Sequence, residues 1–124
     1  MADSALTIVG HLTADPKVRY SQGGRASASF KVAVNNRWKN AQTNEWEERV
    51  AFMQCWAHGS LAENVAASCS KGSRVVVVGT LEQREWQDDD GQKVVQLGIQ
   101  ADECAPALKF ATAIVVRNER KASQ

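Results

Sequence analysis

No apolar run in this 124-residue chain exceeds four residues, as at Val75–Val78, so nothing approaches the roughly 18–20 residues that cross a bilayer as a helix. The opening Met1-Ala2-Asp3-Ser4 has no basic cluster ahead of an apolar stretch; no export leader is expected, and the cytoplasm is the default compartment. Cysteine is scarce and scattered: Cys55, Cys69 and Cys104 form no C-x-x-C and have no histidine at metal-ligand spacing. That argues against a disulfide framework or a zinc site and predicts reduced, buried thiols. There is no G-x-x-x-x-G-K-[ST], no G-x-G-x-x-G and no G-x-S-x-G, so phosphate-cradling, dinucleotide-binding and acyl-transfer signatures are all missing. The acidic triplet Asp88-Asp89-Asp90 reads as a solvated hairpin tip, because three consecutive side chains cannot converge on one ion. Neither a cofactor nor a metal is expected, and enzymatic chemistry has no foothold.

A strong excess of one charge is also lacking: 15 Lys and Arg oppose 14 Asp and Glu. The distribution says more than the sum. Lys17, Arg19, Arg25, Lys31, Arg37 and Lys39 follow one another without an intervening acid, whereas acids gather at Glu45, Glu47, Glu48 and Asp88–Asp90. A basic stretch set apart from acidic tips is a modest electrostatic footprint for a polyanion.

What is present is mostly β-pattern. Ala5–Leu12 is expected as a first strand, broken at Asp15-Pro16, with Lys17–Tyr20 extending again before the turn Gln22-Gly23-Gly24. From Arg25 to Val34, Ala26, Ala28, Phe30, Val32 and Val34 alternate with polar residues, which predicts a half-buried strand. Residues 35–48 are polar and read as a long mobile loop. In a strand over 49–59, alternation gives Ala51, Met53, Cys55 and Ala57 a small apolar face and Phe52, Gln54, Trp56 and His58 an aromatic and polar one. Ser60 and Glu63 suggest a capping box opening a helix over 60–72, with Leu61, Val65 and Cys69 as its apolar stripe and Gly72 ending it. Strands over 74–86 and 93–101 flank an Asp90-Gly91 turn; Gly79 is a candidate bulge, and Leu108–Val116 a further extended segment. Three strands, one helix and two strands is the order of the OB-fold: all-β, a five-stranded Greek-key barrel with its helix between strands 3 and 4. Residues 1–118 are expected to form that single domain, with 119–124 a short basic tail.

The aromatics are the candidate site. Trp38 lies between Arg37 and Lys39, Trp86 follows Arg84-Glu85, and Phe52 and Trp56 share the non-core face of the third strand. Two readings fit each ring. Either unstacked bases lie on it while cations neutralise phosphates alongside, or it packs against a sheet, a subunit or a protein partner. Trp46, flanked by Glu45 and Glu47, is expected to pack. His11 and His58, with no nucleophile or metal nearby in sequence, are expected at the surface or an interface.

A family resemblance weights the first reading. Val9-Gly10-His11-Leu12-Thr13-Ala14-Asp15-Pro16-Lys17-Val18-Arg19-Tyr20 resembles the V-G-N-L-x-x-D-P-E-x-R-Y opening of bacterial single-stranded DNA-binding proteins. Leu61-Ala62-Glu63, Lys71-Gly72-Ser73-Arg74-Val75, Gly79-Thr80-Leu81, Arg84-Glu85-Trp86 and Asp90-Gly91-Gln92 match in order, and the likeness runs from about Leu6 to Val116. It implies a non-catalytic homotetramer of OB-folds, with single-stranded DNA wrapped around it in replication, recombination and repair. Stacking positions carry over to Trp38, Phe52 and Trp86. The fourth falls on His58, for which Trp56 stands in as a partial replacement. Phosphate contacts are expected from Arg37, Lys39, Arg74 and Arg84. Stacking does not itself demand deoxyribose, so RNA remains an alternative ligand. Leu108–Val116 resembles an additional strand that clasps a neighbouring subunit. The chain departs from the family in carrying His11 for the usual Asn. It also ends in basic residues instead of a Gly/Pro/Gln-rich linker with an acidic tip, which puts tail-mediated recruitment of other replication and repair proteins in question.

Overall fold

The computed structural model describes residues 4–119. Its elements are β1 (Ala5–Leu12), β2 (Lys17–Tyr20), β3 (Ala26–Lys39), β4 (Trp46–His58), α1 (Ser60–Ser68), β5 (Arg74–Gln87) and β6 (Lys93–Pro106). Five of the strands close a ring in the order β1-β5-β6-β4-β3, with β3 returning to β1 through His11↔Ala33 and Leu12↔Val32. After the Asp15-Pro16 break, β2 adds to the first part of β3. Every pairing is antiparallel except β4 with β6, where Gln54, Cys55 and Trp56 run beside Gly98, Ile99 and Gln100. This is the expected OB-type barrel, its helix lying between the third and fourth strands of the ring.

Alternation decides which side chains fill the ring. Ala26, Ala28, Phe30 and Val32 of β3 point inward, where they meet Leu12, Cys55, Ala57, Val75, Val77 and Ile99. Burying each larger aliphatic or Phe side chain contributes roughly 1.5–3 kcal/mol. Helix α1 seals the end of the barrel with Ala62 and Val65. Desolvation in this core pushes the Cys55 thiol up to about 12. Cys104 is also raised to about 12, by burial first and then by Cys69 and Glu103. Burial raises Cys69 as well, and all three are free thiols.

Gly79 lies at the expected irregularity. Val78 pairs with Glu103 but Gly79 with Ala101, so Asp102 bulges out of β6 and the strand runs on to Pro106 instead of ending at Ala101. A Cβ at Gly79 would collide with the Gln100 carbonyl oxygen, so the bend needs a residue without one.

Five expectations change. The stretch over 35–48 is no long loop: β3 continues to Lys39, β4 begins at Trp46, and their ladder is unbroken from Ser27↔His58 to Lys39↔Trp46. Ladder pairing overrides the low strand propensity of Asn35, Asn36 and Lys39. Only residues 40–45 turn, held by Asn40, whose Oδ1 accepts from the amides of Gln42 (2.8 Å) and Thr43 (3.2 Å). Ala51 is exposed, because the paired arm leaves the barrel there. The capping box does not form: Gly59, at φ 64°, takes the N-cap, Ser60 falls inside the helix, and no side chain caps the first turn. The helix ends at Ser68, and Gly72 sits in the following turn, where the Ser73 amide donates to the Ser70 carbonyl (2.9 Å). Finally, Leu108–Val116 pairs with no strand among the described residues. The ring is closed without it, and Leu108, Phe110, Ile114, Val115 and Val116 are exposed. The tail residues Arg120–Gln124 lie outside the described residues.

Candidate nucleic-acid interface

Paired residues in a ladder share a face, so register assembles the site row by row. Lys17 of β2 lies beside Ser29 of β3, which lies beside Trp56 of β4, which lies beside Gln100 of β6. The next row is Arg19, Ser27 and His58. These side chains all point away from the core, whose own residues occupy the intervening positions. Lys17, Arg19, Ser27, Ser29, Trp56 and His58, with Arg84 and Trp86 of β5, line an open groove of about 510 Å³. Small serines form its floor, Lys17, Arg19 and Arg84 supply positive charge, and Trp86 stands about half exposed at its rim.

The same face continues along the β3–β4 arm through Lys31↔Gln54, Ala33↔Phe52, Asn35↔Val50, Arg37↔Glu48 and Lys39↔Trp46. A second, smaller cavity of about 230 Å³ shares Lys17 and Ser29 with the first and adds Thr13, Lys31 and Gln54. Phe52 is 63% exposed. From His58 to Trp46 the face is roughly 40 Å long at strand spacing. Glu82–Arg84 (2.7 Å) and Glu85–Lys93 (3.5 Å) are the two ion pairs among the described residues, so Lys17, Arg19, Lys31, Arg37 and Lys39 keep their charge unpaired.

The expected site residues separate into groups. Phe52, Trp86, Arg84, Arg37 and Lys39 lie along this continuous surface. Trp38 pairs with Glu47 and so projects from the opposite side of the arm, exposed but with the Arg49 guanidinium carbon 5.6 Å from its ring centre. Trp56 is in the groove but only 8% exposed, covered by Arg84 at 4.1 Å. Arg74 begins β5 at the end remote from Arg84 and lies over Phe110, outside the groove. His58 reaches the groove, with its Nε2 3.3 Å from an Arg84 nitrogen, whereas His11 pairs with Arg74 at the barrel seam.

Trp46 is a correction. Instead of packing it is 64% exposed, and its ring shares the Phe52 face. Glu47 faces the opposite side of the strand, Glu45 lies in the turn before it, and Arg37 covers the ring at 5.6 Å. Lys17 and Arg19 carry the opposite lesson. Their charge is plain in the sequence, but only the β2–β3 register sets them in the groove. Ser27, Ser29 and Gln100 carry no sequence signal of a site role at all.

Comparison with known proteins agrees with this geometry. The profile of the Single-strand binding protein family matches residues 3–107. A Single-stranded DNA-binding protein of Mycobacterium tuberculosis is 42% identical over 119 residues, covering 95% of this chain and 73% of that protein. Namesakes from Corynebacterium glutamicum (42% over 121 residues, 97% of this chain and 54% of theirs) and Bifidobacterium longum (44% over 116 residues, 93% and 53%) are similar. Barrel, register and sequence agree, and the chain belongs to the single-strand binding protein family.

Proposed function

We propose that the chain binds single-stranded DNA without reading its sequence, bases resting on exposed rings and phosphates on the unpaired cations beside them. The observation that carries this reading is the continuous outer face from Trp86 and the groove to Phe52 and Trp46, where rings alternate with Lys17, Arg19, Lys31, Arg37 and Lys39. Any base can stack on such rings, which is why the binding tolerates all sequences. Phosphate neutralisation releases counterions, which makes it weaken as salt rises.

In this reading Phe52 and Trp86 stack bases directly, and Trp38 does so from the far side of the arm, so that the strand passes over the arm's edge. Arg37, Lys39, Lys17 and Arg19 contact phosphates, and so does Arg84 beside its ion pair with Glu82. Arg74 and Trp56 stand apart from that set, Arg74 by distance and Trp56 by its cover. The chain acts as a homotetramer in replication, recombination and repair, in the cytoplasm at the nucleoid. Exposed apolar side chains away from the groove, among them Val9, Val78, Leu81, Val95 and Leu97, supply surface for contacts between copies. No helix among the described residues is long and apolar enough to cross a membrane.

Titration with oligo-dT of several lengths, followed by intrinsic fluorescence and native mass measurement, tests binding and assembly together. Salt-dependent quenching at a stoichiometry that grows with oligomer length is expected. No quenching at 50 mM salt refutes DNA binding, tighter binding of oligo-U than oligo-dT favours the RNA alternative, and a monomeric mass refutes the tetramer.

A further inference from the structure

Resting on that reading of the groove, we infer that Trp56 is not a base-stacking ring but the pedestal that holds the Arg84 guanidinium in place for phosphate. Trp56 has the parity of Phe52, yet its surroundings differ. Its ring lies across the backbone of β6 at Gly98, where an added Cβ would sit 2.8 Å from Cζ3 and 3.0 Å from Cη2. An aromatic ring laid over a strand glycine covers the backbone that the missing side chain leaves bare. On the ring rests Arg84, its Cζ 4.1 Å from the centroid, against 5.4–5.6 Å for the other cation–aromatic contacts. A base therefore finds that face occupied.

The guanidinium is fixed at its edges as well as from below. Nε donates to Glu82 Oε1 at 2.7 Å, and Nη2 donates to Gln100 Oε1 at 3.2 Å and lies 3.3 Å from His58 Nε2. Of the five N–H bonds of a guanidinium, the two on Nη1 have no partner among the described residues. The groove borders Arg84, and Lys17 and Arg19 stand across its serine floor. A planar cation held this way loses little side-chain freedom when a phosphate oxygen arrives. Glu82 keeps the cation from collapsing onto other acceptors while leaving that pair of donors free. Glu82, Gln100 and Trp56 are thus positioning residues acting through Arg84.

A double-mutant cycle on the full chain distinguishes pedestal from stacking platform. Oligo-dT affinity is measured in Trp56→Leu, Arg84→Gln and the double variant, with thermal midpoints confirming the fold. Arg84→Gln is expected to weaken binding about threefold to tenfold and to lower the slope of log affinity against log salt by about 0.7. Trp56→Leu is expected to weaken binding comparably in the parent chain and by less than about twofold once Arg84 is gone. A ring that takes a base would instead lose about fivefold to 150-fold in both backgrounds. Equal losses in both backgrounds, or none in either, overturn the inference. If Trp56→Leu does not fold, ultraviolet cross-linking of the unaltered chain to oligo-dT decides: adducts are expected on Phe52 and Trp86, and one on Trp56 refutes the pedestal. Failure of the unaltered chain to bind oligo-dT refutes the proposed function instead, before the cycle begins.

Discussion

Arg19 and Arg74 provide the sharpest test, because sequence and register point to different cations. Arg74 lies in the Lys71–Val75 stretch that resembles the family, but it starts β5 roughly 30 Å along the strand from Arg84 and covers Phe110. Arg19 lines the groove, exposed and without an acidic partner among the described residues. On single strands each phosphate neutralised contributes about 0.7 to the slope of log affinity against log salt. Arg19→Gln should therefore lower that slope by about 0.7. Between 50 and 200 mM salt, a fourfold range, the advantage of the parent chain over the variant should then shrink by about 2.6-fold. At the low-salt end the loss should be up to about 1 kcal/mol, the ceiling for a solvated ion pair. The thermal midpoint should not move, since no hydrogen bond or ion pair within the described residues is removed. Arg74→Gln should leave both slope and affinity unchanged. Fluorescence titrations with one oligo-dT at four salt concentrations measure all of this. A slope that falls for Arg74→Gln and not for Arg19→Gln would refute the assignment of the groove.

Phe52→Ala and Trp86→Ala should each weaken oligo-dT binding by about 1–3 kcal/mol without moving the thermal midpoint, because both rings stand exposed; unchanged affinity in both removes them from the interface. Gly98→Ala should lower stability by about 1–3 kcal/mol in a urea melt, since the new methyl meets the Gln54 carbonyl oxygen and the Trp56 ring; an unaltered midpoint contradicts the close packing there. Cys55 and Cys104, raised to about 12, should resist a thiol reagent at pH 8 until denaturant is added. Because these thiols hold their protons more tightly when folded than when unfolded, near 9.0, their contribution to stability is constant below about pH 9 and falls as pH rises towards 12. Rapid labelling of the native chain at pH 8 would show that these thiols are open to solvent.

How far the sequence reveals the site depends on whether a feature needs one strand or two. Alternation within β3 and β4 identifies the core residues Phe30, Val32, Cys55 and Ala57 and the outward ring of Phe52, because facing is a property of a single strand. The bend at Gly79 is legible because a glycine inside a strand pattern marks it, although the residue that bulges, Asp102, lies on the partner strand. The polar arm is not: Asn35, Asn36 and Lys39 read as loop residues and become strand only because each has a partner across the ladder. Trp46 misleads because its sequence neighbours are acids, whereas its spatial neighbours are Lys39 and Arg37. Parity also cannot separate Phe52 from Trp56. Both face outward on β4, but one stands over open solvent and the other over Gly98, with Arg84 above it. What distinguishes them lies on β5 and β6, more than twenty-five residues away in the chain. Ring identity and strand parity are therefore sufficient to nominate a stacking surface, but whether a given ring meets a base or carries a cation is decided by the residues that register sets beside it.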